Sequence, residues 1–485
     1  MSFVPKLETP SDLADSTAGR STALSPTEVL PLVSGRGRVV ARPITRDLHW
    51  HFRNTQTSSF AFFSGMFALC LGPVDEFCSI IVNGKSYQGI FKLRTDHPAT
   101  DYVEQVISKE TPETFRLYWG LETHASPTSY IQSLVRDSGH PMATKTHPKM
   151  KGIALLGVRD MEAGQSLNGK TPAIPKIEIE LYCRSRTAYS FGHVAYGSNP
   201  VGTIRDLFTL QRGGLGLGNS VIDDTKWTAA AQRLWDDGVA GVTGDDLFTS
   251  HVFDKARPAL DVAAEVASHF GGFLREQDGN LDIDWQPNDG TTVDPDGLRE
   301  ISLHHLTAEP QMDPEGLDKM ATKVIVAGLD YTSDPPLQED SQEAMVPFAR
   351  RLLGESRSPV QLNRPGFVTS RQLMSAAVME AAARAIPLLK IRVSVLRQYA
   401  VQADGVTPLR PGDRFTLDWE PIGLDVVVRI MERSKESPVS VDFMVQVERG
   451  AFPRPYEPSI DPRADLTVDP PADLARFAMA QLPPD

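Results

Sequence analysis

Four clusters of residues in this chain have types and spacing that could do chemistry. Residues 164–171, GQSLNGKT, satisfy the phosphate-loop pattern GxxxxGK[ST] at each fixed position. That chemistry needs a helix directly after the loop, so that its first amides face the phosphates. Here Thr171 is followed by Pro172, Pro175 and an alternating strand pattern, which predicts a loop between strands. Residues 212–219, RGGLGLGN, invite a dinucleotide-binding reading, but after Gly214 and Gly216 the third required position falls on Asn219. The segment also comes after a predicted helix where the motif needs a strand, so a connection between helices is expected. Asp278, Asp282 and Asp284 lack the glycine and the closing glutamate of a calcium loop, and are expected on the wet face of a hairpin. His304 and His305 point to opposite faces if extended, which argues against a shared metal.

The remaining chemistry-bearing residues form no signature. The 11 histidines contain no HExxH, no GxSxG elbow is present, and Cys70, Cys78 and Cys183 show no CxxC spacing and are expected as buried thiols. No catalytic, cofactor-binding or metal-binding residue is therefore assigned, and no cofactor is expected. Abundant Asp and Glu leave a carboxylate pair for glycan hydrolysis as an alternative, since sequence does not give their separations. A carbohydrate-binding surface would need exposed aromatics. Trp50, Trp119, Trp227, Trp235, Trp285 and Trp419 mostly sit in apolar patterns, which favours core packing.

The elements that would hold these residues alternate between β-rich and helical stretches. The apolar run 60–71 is too short for a bilayer, which needs about 20 residues, and is expected as a buried strand or core helix. Gly72-Pro73 breaks it. Ile80, Ile81 and Val82 then run into Asn83-Gly84, the dipeptide of tight hairpin turns. Further strands are expected at 115–119, 153–158 and 176–183, the last alternating apolar residues with Glu178, Glu180 and Tyr182 as a half-buried strand. Asn199-Pro200 opens a helix with Val201, Ile204, Leu207 and Phe208 on one face, and Asp223 or Asp224 caps a second. A third runs from Pro258 to Gly271-Gly272, leading into the hairpin 272–285. Beyond residue 300 the pattern gives a strand at 321–329, a loop at 334–342, an Ala-rich helix at 371–386 and a meander through Pro411-Gly412-Asp413.

The resulting organisation is a flexible N-terminal arm (1–38), a β-rich domain (39–198) with a loop-rich insertion at about 96–150, a helical α/β domain (199–299), a second β-rich domain (300–452) and a Pro-rich tail (453–485). A hydrophobic fraction of 41%, with 23% charged residues and no 18-residue apolar stretch, is ordinary for a water-soluble multidomain protein. No secretory signal is visible at the N-terminus, which points to synthesis in a cytoplasm. The net charge of −13 argues against broad binding to the outside of a nucleic acid.

Four ordered segments resemble tailed-phage baseplate-hub and tail-tip proteins. Residues 60–84 resemble an apolar stretch followed by a G-P-[IV]-D turn and an I-x-V-x-G strand, and 115–132 resemble the family's lYxG strand and acidic loop. Residues 147–184 and 199–231 resemble the family's next two blocks, and the L-x-PGD turn near Pro411 resembles its later tube-forming domain. The resemblance implies an α+β multidomain fold with two tail-tube-like β-barrel or sandwich domains around a helical α/β domain. It implies a homotrimeric structural hub that caps and continues the tail tube, then opens to release the tape-measure protein and DNA. Implied partners are the distal tail protein ring, the tape-measure protein and tail fibre or receptor-binding proteins, with host contact indirect. The location would be the virion tail tip, after assembly in the host cytoplasm. Phe62, Phe63 and Phe67 are the candidate subunit contacts on this reading.

Overall fold

The computed structural model describes residues 30–44, 49–54, 59–87, 92–94, 100–106, 114–123, 125–135, 141–144, 146–165, 174–185, 197–239, 248–277, 280–285, 297–314, 321–330, 338–345, 350, 359–384 and 389–447. The fold is α+β, multidomain and dominated by sheets. The chain divides into two compact units, one made of Met1–Ser198, Arg205–Leu217 and Ser250–Val262, the other of Asn199–Ile204, Gly218–Thr249 and Ala263–Asp485.

The first unit contains β1 (Leu32–Val40), β2 (Arg42–Pro43), β3 (His49–Asn54), β4 (Ser59–Leu71), β5 (Glu76–Val82), β6 (Lys85–Tyr87), β7 (Lys92–Leu93), β8 (Tyr102–Val106), β9 (Thr114–Tyr118), β10 (Ile153–Gln165), β11 (Ile177–Cys183) and β12 (His251–Phe253). The short helices α1 (Thr128–Ser133) and α2 (Pro141–Thr144) lie between β9 and β10. All twelve strands join one sheet, whose main path runs β6-β5-β11-β1-β4-β10-β9-β8. The apolar run at 60–71 is thus a strand, the centre of the unit: β4 pairs antiparallel with β10 from Ile153↔Leu71 to Gln165↔Phe60. Asn83 (φ 49°) and Gly84 (φ 82°) make the two-residue turn that returns β5 into β6, with Val82 opposite Lys85. Regular structure begins earlier than the sequence pattern predicts, because Leu32–Val40, most of it expected as arm, is the strand on which β4, β11 and β12 meet.

One core cluster fills this unit, with Phe63, Phe67, Leu69, Phe77, Ile80, Phe115, Leu117, Trp119, Leu156, Ile179 and Leu181 buried together. Phe77 stacks on Trp119 with ring centroids 4.9 Å apart. A second cluster, Met66, Tyr118, Tyr130, Ile131 and Leu155, holds α1 against the sheet. It depends on Gly157, since a Cβ there would lie 2.2 Å from Tyr130 Cε1.

The division between the units falls within the helices α3 (Pro200–Thr209) and α5 (Ala259–Ser268). Asn199 begins α3 as its sequence predicts: Oδ1 accepts from the Val201 N–H at 3.1 Å. Its Nδ2 donates to the Ala231 carbonyl of α4 (Asp224–Val239), so the cap also ties the two helices.

The second unit carries the hairpin β13 (Gly272–Gln277) and β14 (Asn280–Trp285), then β15 (Arg299–Ser302), β16 (Gln311–Pro314), β17 (Lys323–Asp330), β18 (Gln338–Met345), β19 (Val360–Asn363), α6 (Ser370–Arg384), β20 (Leu389–Leu396), β21 (Arg414–Trp419), β22 (Leu424–Glu436) and β23 (Ser440–Val447). Six strands form a sheet in the order β15-β21-β22-β23-β20-β16, and β18-β17-β19 form a separate one under α6. The six-stranded sheet buries Ile391, Val393, Phe415, Leu417, Trp419, Val428, Ile430, Phe443 and Val445. The loop expected at 334–342 is corrected from Gln338 onward, because β18 pairs along its length with β17. Its sequence, QEDSQEAM, hides the strand because the backbone makes the ladder while Glu339, Ser341 and Glu343 face water.

Candidate functional site

The sequence-derived candidates separate in the structure. Of the phosphate-loop motif, Gly164 and Gln165 close β10, and 166–171 lie outside the described residues. The next described element is a strand, β11, in place of the helix that a phosphate loop requires. The glycine-rich 212–218 forms a turn after α3, with Leu215 N–H donating to Leu207 O and Leu217 N–H to Phe208 O. Asp278 is outside the described residues. Asp282 is not on a wet face: it is 1% exposed and accepts from Lys226 Nζ of α4 at 2.9 Å. The neighbouring Trp227 Nε1 donates to Leu281 O at 2.8 Å, so α4 covers that side of the hairpin. His304 is exposed, while His305 Nδ1 accepts from the Ser302 N–H at 3.1 Å and its ring packs 4.3 Å from that of Tyr399. Among the described residues no group of three or more His, Cys, Asp or Glu is placed to hold a metal ion.

Phe62, Phe63 and Phe67 are 3%, 0% and 2% exposed, the last two inside the main core cluster. Strand β4 pairs on both sides, and the side chains of Phe62, Phe63 and Phe67 are buried from solvent in this conformation. Cys70, Cys78 and Cys183 are buried thiols, none of them in a disulfide. Burial pushes the Cys78 thiol well above its usual range, which removes its thiolate character.

The polar centre of the first unit is not visible in the sequence. Glu180 is 1% exposed, on a strand whose alternation predicts a half-wet face. Its Oε1 accepts from Arg36 Nε at 2.6 Å and its Oε2 from Ser79 Oγ at 2.8 Å. Arg36 comes from β1 and Ser79 from β5, the two neighbours of β11, so three strands are cross-tied at one carboxylate. Glu76 lies nearby, 5% exposed, and burial raises its carboxyl above the ordinary value. Tyr182 on the same strand face donates to Gly197 O at 3.0 Å. The only sequence signal is the match of Arg36 and Arg38, two apart on one strand, to Glu178 and Glu180, two apart on another.

A second buried polar joint lies in the other unit. His269, just beyond α5, is 3% exposed; Nε2 can only accept from the Gly366 N–H at 3.3 Å, so Nδ1 carries the proton and donates to Glu265 O at 2.9 Å. Burial lowers its pKa to about 4. The native imidazole therefore stays neutral at a pH where the unfolded chain binds a proton, so stability present above the ordinary value of about 6.5 is lost as pH falls toward 4. We expect urea unfolding of this unit at pH 4.5 to show a loss of about 2–3 kcal/mol from His269, absent in His269→Gln. Equal pH dependence in both proteins would refute it.

The second unit also holds clefts at one end of its six-stranded sheet. One, of about 440 Å³, is lined by residues that include Phe273, Leu274, Pro411, Met431 and Gln446. Gly412 allows its floor, because a Cβ there would lie 2.3 Å from Phe273 Cε2, and Arg429 sits 5.6 Å over the Phe273 ring.

No protein-family model and no curated protein matches the chain. Among solved structures, a chain of the virion of a native gene transfer agent particle superimposes with a TM-score of 0.56 at 14% identity, covering 90% of this chain and 89% of that one. The fold is that chain's fold. A tail protein from Neisseria meningitidis MC58 matches at a TM-score of 0.35 and 10% identity, over 78% of this chain and 98% of that one. The 43 kDa tail protein of prophage MuSo2 from Shewanella oneidensis matches at 0.32 and 11%, over 77% and 98%.

Proposed function

We propose that this chain is a structural protein of a tailed virion-like particle, a hub at the distal end of the tail tube. The observation that carries the reading is the shared fold with a gene transfer agent virion chain over nearly the full length of both. The ordered motifs that resemble tail-hub proteins support the same conclusion. Three copies would close a ring around the tube axis, since closed rotational symmetry caps a tube with identical chains. The ring would contact the distal tail protein ring above it and fibre or receptor-binding proteins around it. Opening of the ring would release the tape-measure protein and then DNA, which passes without specific binding past a chain of net charge −13. The role is mechanical, and the large cross-tied sheet of the first unit suits a part that must hold its shape under load.

Mass measurement of the purified protein, alone and mixed with its tail partners, tests this reading. A trimer at the end of a tube is the expected result. A stable monomer that never joins a tube end would overturn it.

A further inference from the structure

Glu76, Tyr182 and Arg36 form one row across three strands of the first unit. Glu76 of β5 stands opposite Tyr182 of β11, and Tyr182 stands opposite Arg36 of β1. Glu180, two residues before Tyr182 and so on the same face, takes the Arg36 Nε proton at 2.6 Å. The guanidinium is therefore engaged by Glu180, and in the row Tyr182 separates it from Glu76. On the other side, the register partner of Glu76 on β7 is the apolar Leu93.

Among the described residues the Glu76 carboxyl accepts one side-chain hydrogen bond, from Cys78 Sγ at 3.6 Å. A thiol is a weak donor. The Tyr182 hydroxyl is turned to Gly197 O. The charged groups that face Glu76 are Arg36, already paired, and two further carboxylates, Glu180 and Asp75. Asp75 accepts from Arg94 Nη2 at 2.6 Å and from the Arg184 N–H at 2.9 Å, so Arg94 is engaged there. Glu76 is thus a carboxyl 5% exposed with no cation of its own. Such a group is held at lower cost neutral than ionised.

We propose that Glu76 is an acid-responsive joint of this sheet: proton uptake there tightens the contact of β5 with β11, so that mild acid stabilises the first unit. The sign follows from burial, which raises the Glu76 carboxyl above its ordinary value of 4.5. The folded unit then holds a proton at a pH where the unfolded chain has released it. Its contribution is complete below the ordinary value and is lost as pH rises through the folded one.

The three cysteines of the chain, Cys70, Cys78 and Cys183, are buried and all lie in the first unit, so their alkylation in urea reads the opening of that unit alone. The urea midpoint for maleimide labelling of the full-length protein, read by mass spectrometry, is compared between wild type and Glu76→Gln from pH 7 to pH 5. Glutamine keeps the shape without the charge. Its midpoint is expected above that of wild type at pH 7, and the gap should narrow as pH falls and wild type takes up its proton. Comparing the two proteins at each pH cancels the histidines and other groups they share. Cys78→Ala, labelled at Cys70 and Cys183, removes the one donor to the ionised carboxylate, so its deficit against wild type should shrink in acid. It serves as the second variant if Glu76→Gln fails to fold. Differences from wild type that do not change with pH, or a Glu76→Gln midpoint below wild type at pH 7, would overturn the proposal.

Discussion

Glu180→Ala is expected to cost the first unit about 3–5 kcal/mol, the usual penalty for removing one partner of a buried ion pair. The reason lies in where the carboxylate sits. Glu180 is buried on the central β11, and it takes the Arg36 and Ser79 donors from the strands on either side. Alanine leaves both donors facing a cavity that the sheet cannot close, since β1, β5 and β11 are fixed in register by their backbone ladders. Glu180→Gln keeps the volume and one acceptor, so a smaller loss is expected. Because the chain has two units, a single melting temperature would mix their transitions. Hydrogen exchange of peptides from β1, β5 and β11 reads the affected unit directly. Protection in Glu180→Ala equal to wild type would show that the cross-tie carries little of the sheet's stability.

The features legible in the sequence are local ones. The strand ending at Val82 and its Asn83-Gly84 turn are visible because β-branched residues and a positive-φ dipeptide act within four residues. The α3 cap is visible because Asn199 bonds two residues ahead. Strand β1 is hidden for the opposite reason: Gly35, Arg36, Gly37 and Arg38 interrupt its apolar alternation, and their explanation lies far along the chain. Gly37 is required by Val252, whose Cγ2 would lie 2.5 Å from a Cβ there, and Arg36 is required by Glu180. The burial of Asp282 is equally hidden, because its cation, Lys226, lies on a helix 56 residues earlier.

The same distinction decides how Phe63 acts. Its position in a short apolar run suggests a contact between subunits, and polar substitution would then impair assembly while sparing the isolated chain. In the structure Phe63 is fully buried and meets Phe67 edge-on, with ring centroids 6.2 Å apart, inside the cluster that also holds Phe77 and Trp119. Phe63→Ala should therefore destabilise the first unit by about 3–5 kcal/mol through the cavity it opens. Phe63→Asn should cost more, because an amide enters that cavity without an acceptor fixed in place. On the proposed hub reading both would reduce assembly, but only as a consequence of unfolding, so assembly yield cannot separate core from contact. Hydrogen exchange of the unassembled protein can. Loss of protection across β4 and β10 in the isolated chain is the expected result. Variants that keep wild-type protection as isolated chains, yet fail to assemble, would restore Phe63 to the subunit contact and require β4 to rearrange on assembly.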